Sequence, residues 1–394
     1  DVGSGKTIIS FVAAANVIRS NWQIALMAPT EILAKQHYDL ATKIFKSTDV
    51  TIKFLSGKSS FKEKKTIQEN LANGKINFII GTHALFQKNI LFKKLGLIII
   101  DEQHKFGVQQ RIDLSNKGGK DCDILLMSAT PIPRSLILAF YGDMDVSKLI
   151  EKPMFRKNTI TLSKPEEKID EIIIFIKNQI KNGNQIFWVC PLIEESKKLA
   201  YSAAVKKYNH LSKTFPNKIG LIHGSLHMDE RNKVLNDFLG KTIDILISTT
   251  VIEVGIDFPN ANVMVIENSN KFGLSQLHQL RGRVGRGTGQ STCILLYKNN
   301  LSEKAKKRIK ILKSSNDGFF IAEEDMKLRG FGDVLGFQQS GIKDFKLADP
   351  IQHEDLFKIA EQNIKEIEHD ENNFKRYNFL LKLFDKADII NQIN

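Results

Sequence analysis

The chain has 394 residues, 42% hydrophobic and 26% charged, and 57 Lys and Arg against 44 Asp and Glu give a formal net charge of +13. Those proportions exclude a disordered chain and a disulfide-stapled mini-protein, and they supply apolar material for two or three domains. No apolar run reaches the roughly 18 residues a membrane span needs, and the cationic surplus suits a polyanionic partner such as nucleic acid.

In chain order, the first helical patterns fall at 6–20 and 31–45. Apolar runs with little alternation fall at 24–29 (IALMAP), 76–81 (INFIIG), 95–100 (LGLIII) and 123–129 (DILLMSA). Runs without polar alternation are buried on both faces, as in a parallel sheet. Their alternation with helices predicts a doubly wound α/β domain. The pattern breaks over 141–160, around Pro153, which reads as a linker. A second series follows at 185–190 (QIFWVC), 218–223 (KIGLIH), 243–249 (IDILIST), 262–267 (NVMVIE) and 293–297 (CILLY). Beyond 300 come a basic amphipathic helix pattern at 301–315, a Gly-rich stretch at 329–341 and a mostly helical tail from Pro350 to Asn394. The expected divisions are two α/β domains, 1–152 and 153–300, and a mostly helical region, 301–394. Two such domains in tandem leave a cleft, a preferred place for ligands. Cys122, Cys190 and Cys293 are far apart in or beside apolar runs, so they read as small core residues in a reducing, cytoplasmic setting.

The opening DVGSGKT (1–7) matches the phosphate-loop pattern GxxxxGK[ST] from its second position onward. Gly3 and Gly5 let the backbone curl so that its N–H groups, with that of Ser4, face phosphate oxygens. Lys6 brings a cation to the β- and γ-phosphates, and Thr7 offers a hydroxyl to Mg²⁺. The helix that follows points its positive end at the same phosphates. The missing first Gly and the absent initiator Met lead us to expect an N-terminally truncated product whose first sheet lacks the phosphate-loop strand. A second signal is LIIIDEQH (97–104), a buried strand running into two acids at the sheet's C-terminal edge. Asp101 is the expected Mg²⁺-side carboxylate, and Glu102 is the candidate to orient and deprotonate an attacking water. Third, QLHQLRGRVGRG (276–287) puts Arg281, Arg283 and Arg286 within six residues. One or two of them would reach across the cleft as arginine fingers, worth about 10³–10⁵ in rate; the alternative is a solvated basic turn or a nucleic-acid patch.

With these pieces in order, the chain resembles the superfamily 2 helicases. APTEILAKQH (28–37), IIGTHALFQ (79–87), DEQH (101–104), SATPIPR (128–134), FWVCPLIEES (187–196) with LIHGSLHMDER (221–231), STTVIEVGIDFPNA (248–261) and QLRGRVGR (279–286) are similar to that superfamily's successive motifs. DEQHKFGVQQR, ENSNKFGLSQLHQLRGRVGRG and GFFIAEEDMKLRGFGDVLGFQQSG (318–341) resemble the RecG branch. The last stretch is shared with the transcription-repair coupling translocases. The resemblance implies two tandem RecA-like P-loop NTPase domains, with ATP and Mg²⁺ as cofactors. It also implies an ATP-dependent DNA helicase and translocase that remodels stalled forks and Holliday junctions in repair and recombination. Gln279, Arg283 and Arg286 match QxxGRxxR, with finger roles for the arginines. His104 would relay between the acids and the other half of the motor, and Ser128 and Thr130 would couple hydrolysis to DNA. Gly255 and Asp257 would lie near the ribose. Thr30, Gly81, Thr82 and Thr250 would meet the DNA backbone, and Arg329, Gln338 and Gln339 would couple the motor to translocation. Such contacts position without reading sequence. The implied partner is branched or duplex DNA, with repair or replication proteins besides, no membrane, and a monomeric chain.

The resemblance leads us to expect a chain without the family's branch-recognising wedge domain, and the sequence departs from the family pattern in Lys105 where Arg is common and in Phe331 where Pro is common. Two alternatives stay open: a truncated remnant that binds DNA by charge alone, and a translocase of the transcription-repair coupling type.

Overall fold

The computed structural model describes residues 2–57, 59–87, 89–102, 117, 119, 122–129, 145–151, 157–191, 197–224, 226–249, 258–287, 289–329 and scattered positions between 353 and 364. The chain forms two compact units, Asp1–Pro131 with Lys148–Ile321, and Ile132–Ser147 with Ala322–Asn394. Both sheets belong to the first unit.

The first sheet is built from β1 (Gln23–Met27), β2 (Ile52–Leu55), β3 (Phe78–Gly81), β4 (Leu95–Asp101) and β5 (Asp123–Met127) in the order β2-β3-β1-β4-β5. Every pairing is parallel. Strands β1, β3 and β4 are buried along their whole length, as their unbroken apolar runs predict. Helices α1 (Lys6–Arg19) and α2 (Glu31–Ile44) cover one face through Phe11, Ala14, Leu33, Ala34 and Ala41. Thr30 caps α2, accepting a bond from the Leu33 N–H. The other face packs against α3 (Phe61–Ala72) through Ile67 and Leu71, and α3 opens with a capping box between Ser60 and Glu63.

The second sheet contains β6 (Ile160–Pro165), β7 (Gln185–Cys190), β8 (Ile219–Ile222), β9 (Ile245–Thr249), β10 (Ala261–Ile266) and β11 (Thr292–Tyr297), all parallel, in the order β6-β11-β10-β7-β9-β8. Its helices are α4 (Ile169–Lys181), α5 (Lys197–Thr214), α6 (Met228–Leu239) and α7 (Leu274–Arg281). One face packs Trp188, Ile247 and Val265; the other carries Phe187, Phe238 and Phe258 with ring centroids 5.2–5.3 Å apart. Helices α8 (Glu303–Ser314) and α9 (Gly318–Arg329) follow β11. In the second unit, residues 355, 356, 359, 360 and 362–364 are helical.

The two sheets repeat one plan. Taking strands in chain order from β1 and from β7, both follow the same spatial permutation, and β6 is added beyond β11. The corresponding position beside β5 is a sheet edge, where Asp123 and Ile124 are exposed. A buried glutamine opens each central strand. Gln23 donates to Leu71 and Ile76 carbonyls and accepts from the Lys93 and Lys94 amides. Gln185 donates to Phe238 and Ile243 carbonyls. Strands β2 and β6 lie outside the apolar runs read from the sequence. Both are half-exposed edges, and β6 lies at the end of the stretch that reads as a linker.

Candidate nucleotide site

Parallel strands deliver their C-terminal ends to one edge, and there the predicted residues of the first sheet gather. Ahead of α1, Gly3 and Gly5 have φ of 70° and 90°, the left-handed conformation a phosphate loop needs from glycine. An added Cβ on Gly5 would meet nothing within 4 Å. No side chain caps α1 and its first turn holds no acid, so its end suits an anion. Ser4, Lys6 and Thr7 are half-buried.

Asp101 is the last residue of β4, and Glu102 follows at φ 52°. That left-handed turn costs a non-glycine residue about 1–2 kcal/mol. It breaks the strand alternation that would send consecutive side chains to opposite faces. Both acids are buried. Glu102 Oε2 accepts a bond from the Ala129 N–H at 3.2 Å, just beyond β5. Asp101 Oδ1 accepts from the Glu102 N–H at 3.0 Å, and Oδ2 lies 2.9 Å from Nε2 of His37 on α2.

The second lobe supplies cations. Arg283 and Arg286 follow α7, Arg283 buried and Arg286 half-buried. Burial, then the Asp101 charge, push the Glu102 carboxyl above its ordinary range, while the Ala129 amide, Arg283 and Lys6 pull it back. Burial lowers the Lys6 ammonium; Glu102 and Asp101 oppose that, and Arg286 and Arg283 reinforce it. The phosphate-loop lysine, both acids and both arginines therefore share one electrostatic neighbourhood. The lobes also touch directly, since a Cβ added to Gly282 would stand 2.8 Å from Val2 Cβ. Among the described residues, three cations stand against two acids, a net positive charge, and the loop's glycine-lined backbone amides and oxygen donors fit a polyphosphate with a hard cation.

Arg281 points elsewhere. Its guanidinium donates to the Leu312 and Ser315 carbonyls at 2.7 and 2.8 Å and to Thr161 Oγ1 at 3.3 Å. Gln279 is half-buried on α7. Of the expected DNA-facing residues, Thr30 and Ser128 are half-buried at the strand-end edge, whereas Gly81 and Thr82 are buried. A Cβ on Gly81 would collide with the Leu55 carbonyl, so sheet packing alone demands glycine there. His104, Lys105, Thr130, Thr250, Gly255, Asp257, Phe331, Gln338 and Gln339 lie outside the described residues, as does the side chain of Arg329. The sequence reading missed the Ala129 amide, His37 and the approach of Gly282 to Val2. A backbone donor leaves no residue signature, and His37 reads simply as one mid-helix position of the amphipathic pattern at 31–45.

Family models match in the same order: DEAD/DEAH box helicase over residues 1–137, and helicase conserved C-terminal domain over 165–288. With two parallel-sheet RecA-like lobes, the chain has the core of a superfamily 2 helicase. A Leu-to-Val variant of S. cerevisiae Dbp5 bound to RNA and ADP BeF3 shares that fold, at 18% identity, TM-score 0.59, over 84% of this chain and 88% of its own. A third model, ATP-dependent DNA helicase RecG, domain 3, C-terminal, matches residues 315–387. ATP-dependent DNA helicase RecG of Bacillus subtilis is 47% identical over 92% of this chain and 53% of its own length. That of Thermotoga maritima is 48% identical over 93% and 47%. A solved RecG bound to a three-way DNA junction superposes with TM-score 0.74 at 46% identity, over 91% of this chain and 46% of that one. The chain belongs to the RecG family, and it spans about half the length of the curated relatives it matches.

Proposed function

We propose that the chain is the motor portion of an ATP-dependent DNA helicase and translocase that remodels branched DNA, such as stalled forks and Holliday junctions, in repair and recombination. Residues 1–152 and 153–300 act as its two RecA-like domains, and 301–394 as a helical coupling region. The observation that carries the reading is the meeting of Lys6, Asp101 and Glu102 with Arg283 and Arg286 across two lobes. The backbone of Gly3, Ser4 and Gly5 with Lys6 holds the phosphates, and Thr7 and Asp101 hold Mg²⁺. Bound Mg²⁺ neutralises phosphate charge. Glu102 orients the attacking water and takes its proton, and the two arginines stabilise charge developing on the γ-phosphate. Because the arginines belong to the second lobe, turnover depends on lobe closure, and that dependence turns hydrolysis into motion. Gln279, Gly255 and Asp257 serve the nucleotide side of the second lobe. Thr30, Gly81, Thr82, Ser128, Thr130 and Thr250 serve the DNA side. His104, Arg329, Gln338 and Gln339 couple the two.

RecG relatives and a RecG bound to a three-way junction support branched DNA as the partner. No helix among the described residues is long and apolar enough to cross a membrane, and we place the protein in the cytoplasm as a monomer. The test is DNA-stimulated ATP turnover by this chain beside Lys6→Ala and Glu102→Gln. Turnover that both substitutions abolish supports the motor. Salt-sensitive DNA binding by the wild type without turnover would favour a remnant that binds by charge alone.

A further inference from the structure

We propose that His37 is a positioning residue for Asp101, an inference that rests on the nucleotide reading above. His37 lies 64 positions from Asp101 in the chain, yet its Nε2 sits 2.9 Å from Asp101 Oδ2 in a buried contact. The His37 and Asp101 side chains are 6% and 12% exposed. Packing does not ask for an imidazole there. The rest of the buried face of α2 is Leu33, Ala34 and Ala41, and an aliphatic side chain would fill the site without burying polar nitrogens. The ring adds a directional N–H. The facing atom is a carboxylate oxygen, an acceptor when ionised, so Nε2 carries the proton.

Asp101 is thereby held from two sides. Its own strand end grips Oδ1 through the Glu102 amide, and a separate helix grips Oδ2. An ionised carboxylate has about four lone-pair sites. Two are taken, and the two left face a fixed direction, ready for a cation or the water on it. A free aspartate would have to give up its side-chain rotation on binding, whereas this one has given it up on folding. The link therefore bears on Mg²⁺ rather than on the phosphates, which the loop and Lys6 hold by themselves.

The experiment is a Mg²⁺ titration of fluorescent-ADP binding by the 394-residue chain, with binding in EDTA measured alongside. His37→Ala should raise the Mg²⁺ requirement by about 10- to 100-fold, the usual effect of losing a partner behind a metal ligand, and leave the EDTA affinity unchanged. His37→Gln places an amide N–H close to the Nε2 position and should restore most of the loss. His37→Asn keeps an amide too short to reach Asp101; it should behave as His37→Ala, and it replaces that variant if alanine unfolds the chain. An unchanged Mg²⁺ requirement in both short variants overturns the inference. So does a His37→Gln protein as impaired as they are, because ring volume rather than the N–H would then matter. A folded wild-type chain that binds no nucleotide with Mg²⁺ overturns the nucleotide reading and this inference with it; the first two results overturn the inference alone.

Discussion

Gly282→Ala isolates the meeting point of the lobes. Gly282 follows α7 at φ −68° and ψ −9°, a conformation any residue adopts, so alanine brings no backbone strain. Its Cβ would lie 2.8 Å from Val2 Cβ and 2.9 and 3.1 Å from the two γ-carbons. Carbon atoms pack best at about 3.5–4.0 Å, so Val2 and Gly282 must part by roughly 0.7–1.2 Å. Val2 is buried in the phosphate loop, so it has little room to swing aside. Arg283, the next residue, is carried away from Lys6 and Glu102. A misplacement of about 1 Å costs on the order of 100-fold in rate, or about 2.7 kcal/mol of barrier. The assay is DNA-stimulated ATP turnover at saturating ATP, beside thermal unfolding. Turnover should fall by about 10- to 100-fold with little change in unfolding, since neither core is touched. Val2→Gly removes all three opposing atoms, and in the double mutant it should recover part of the loss, with a coupling energy of about 1 kcal/mol or more. Turnover within twofold of the wild type, or strict additivity in the double mutant, would refute the reasoning.

Glu102→Gln keeps an oxygen for the Ala129 amide and removes only the base, so single-turnover hydrolysis should fall by about 10²–10⁴-fold with nucleotide affinity retained. The pH profile of turnover should have an acid limb above the ordinary carboxylate range. Glu102 acts as its anion, burial and Asp101 raise its pKa, and activity is full above that pKa and lost as pH falls through it. Arg283→Gln removes a cation that lowers the pKa, so the limb of the residual rate should move to still higher pH, and a shift to lower pH would count against the assignment. Beside α8, Lys306, Lys310 and Lys313 line one side of a depression with Ser163 and Tyr297. If duplex DNA runs there, changing all three to Gln lowers the slope of log affinity against log salt by about 0.9 for each phosphate no longer neutralised, leaving ADP binding unaltered; an unchanged slope marks a merely solvated face.

What was legible in the sequence follows from burial. The strands that lie between others are β1, β3, β4, β7, β9, β10 and β11. Each is a mostly apolar run with any polar residues at or near an end, and it stands out because its middle is shielded from water on both faces. Edge strands β2 and β6 carry Lys53, Ser163 and Lys164, and the same physics that exposes them breaks their pattern. The site divides in a similar way. Lys6, Asp101 and Glu102 are legible because phosphate binding and water activation restrict the residue type and the spacing. The Ala129 amide leaves no trace in residue identity. Gly282 and Gly81 are visible as letters, but their reasons, Val2 across the lobes and the Leu55 carbonyl, belong to neighbours the sequence does not encode locally.

Arg281 and Arg283 form the sharpest case, since a single residue, Gly282, separates an anchor from a proposed finger. Spacing cannot distinguish them. In the fold, Arg281 ends α7 with its guanidinium against the last carbonyls of α8, where a cation meets the negative end of that helix. It also approaches His278 Nδ1 at 2.8 Å. Burial brings its pKa down to about 10, which still leaves it charged at neutral pH. Arg281→Ala strips donors from two carbonyls, and each group left unsatisfied costs about 1–3 kcal/mol. We therefore expect a loss of about 2–6 kcal/mol in chemical denaturation, with nucleotide affinity kept at temperatures where the chain stays folded. Arg283→Ala should do the reverse, because Lys6, Arg283 and Arg286 together outnumber the two acids and removing one leaves two cations for two acids: little loss of stability, and a fall in turnover of about 10³-fold or more. If the two substitutions gave the same pair of readouts, the division of labour between anchor and finger would be wrong, and the basic cluster would be one surface with one role.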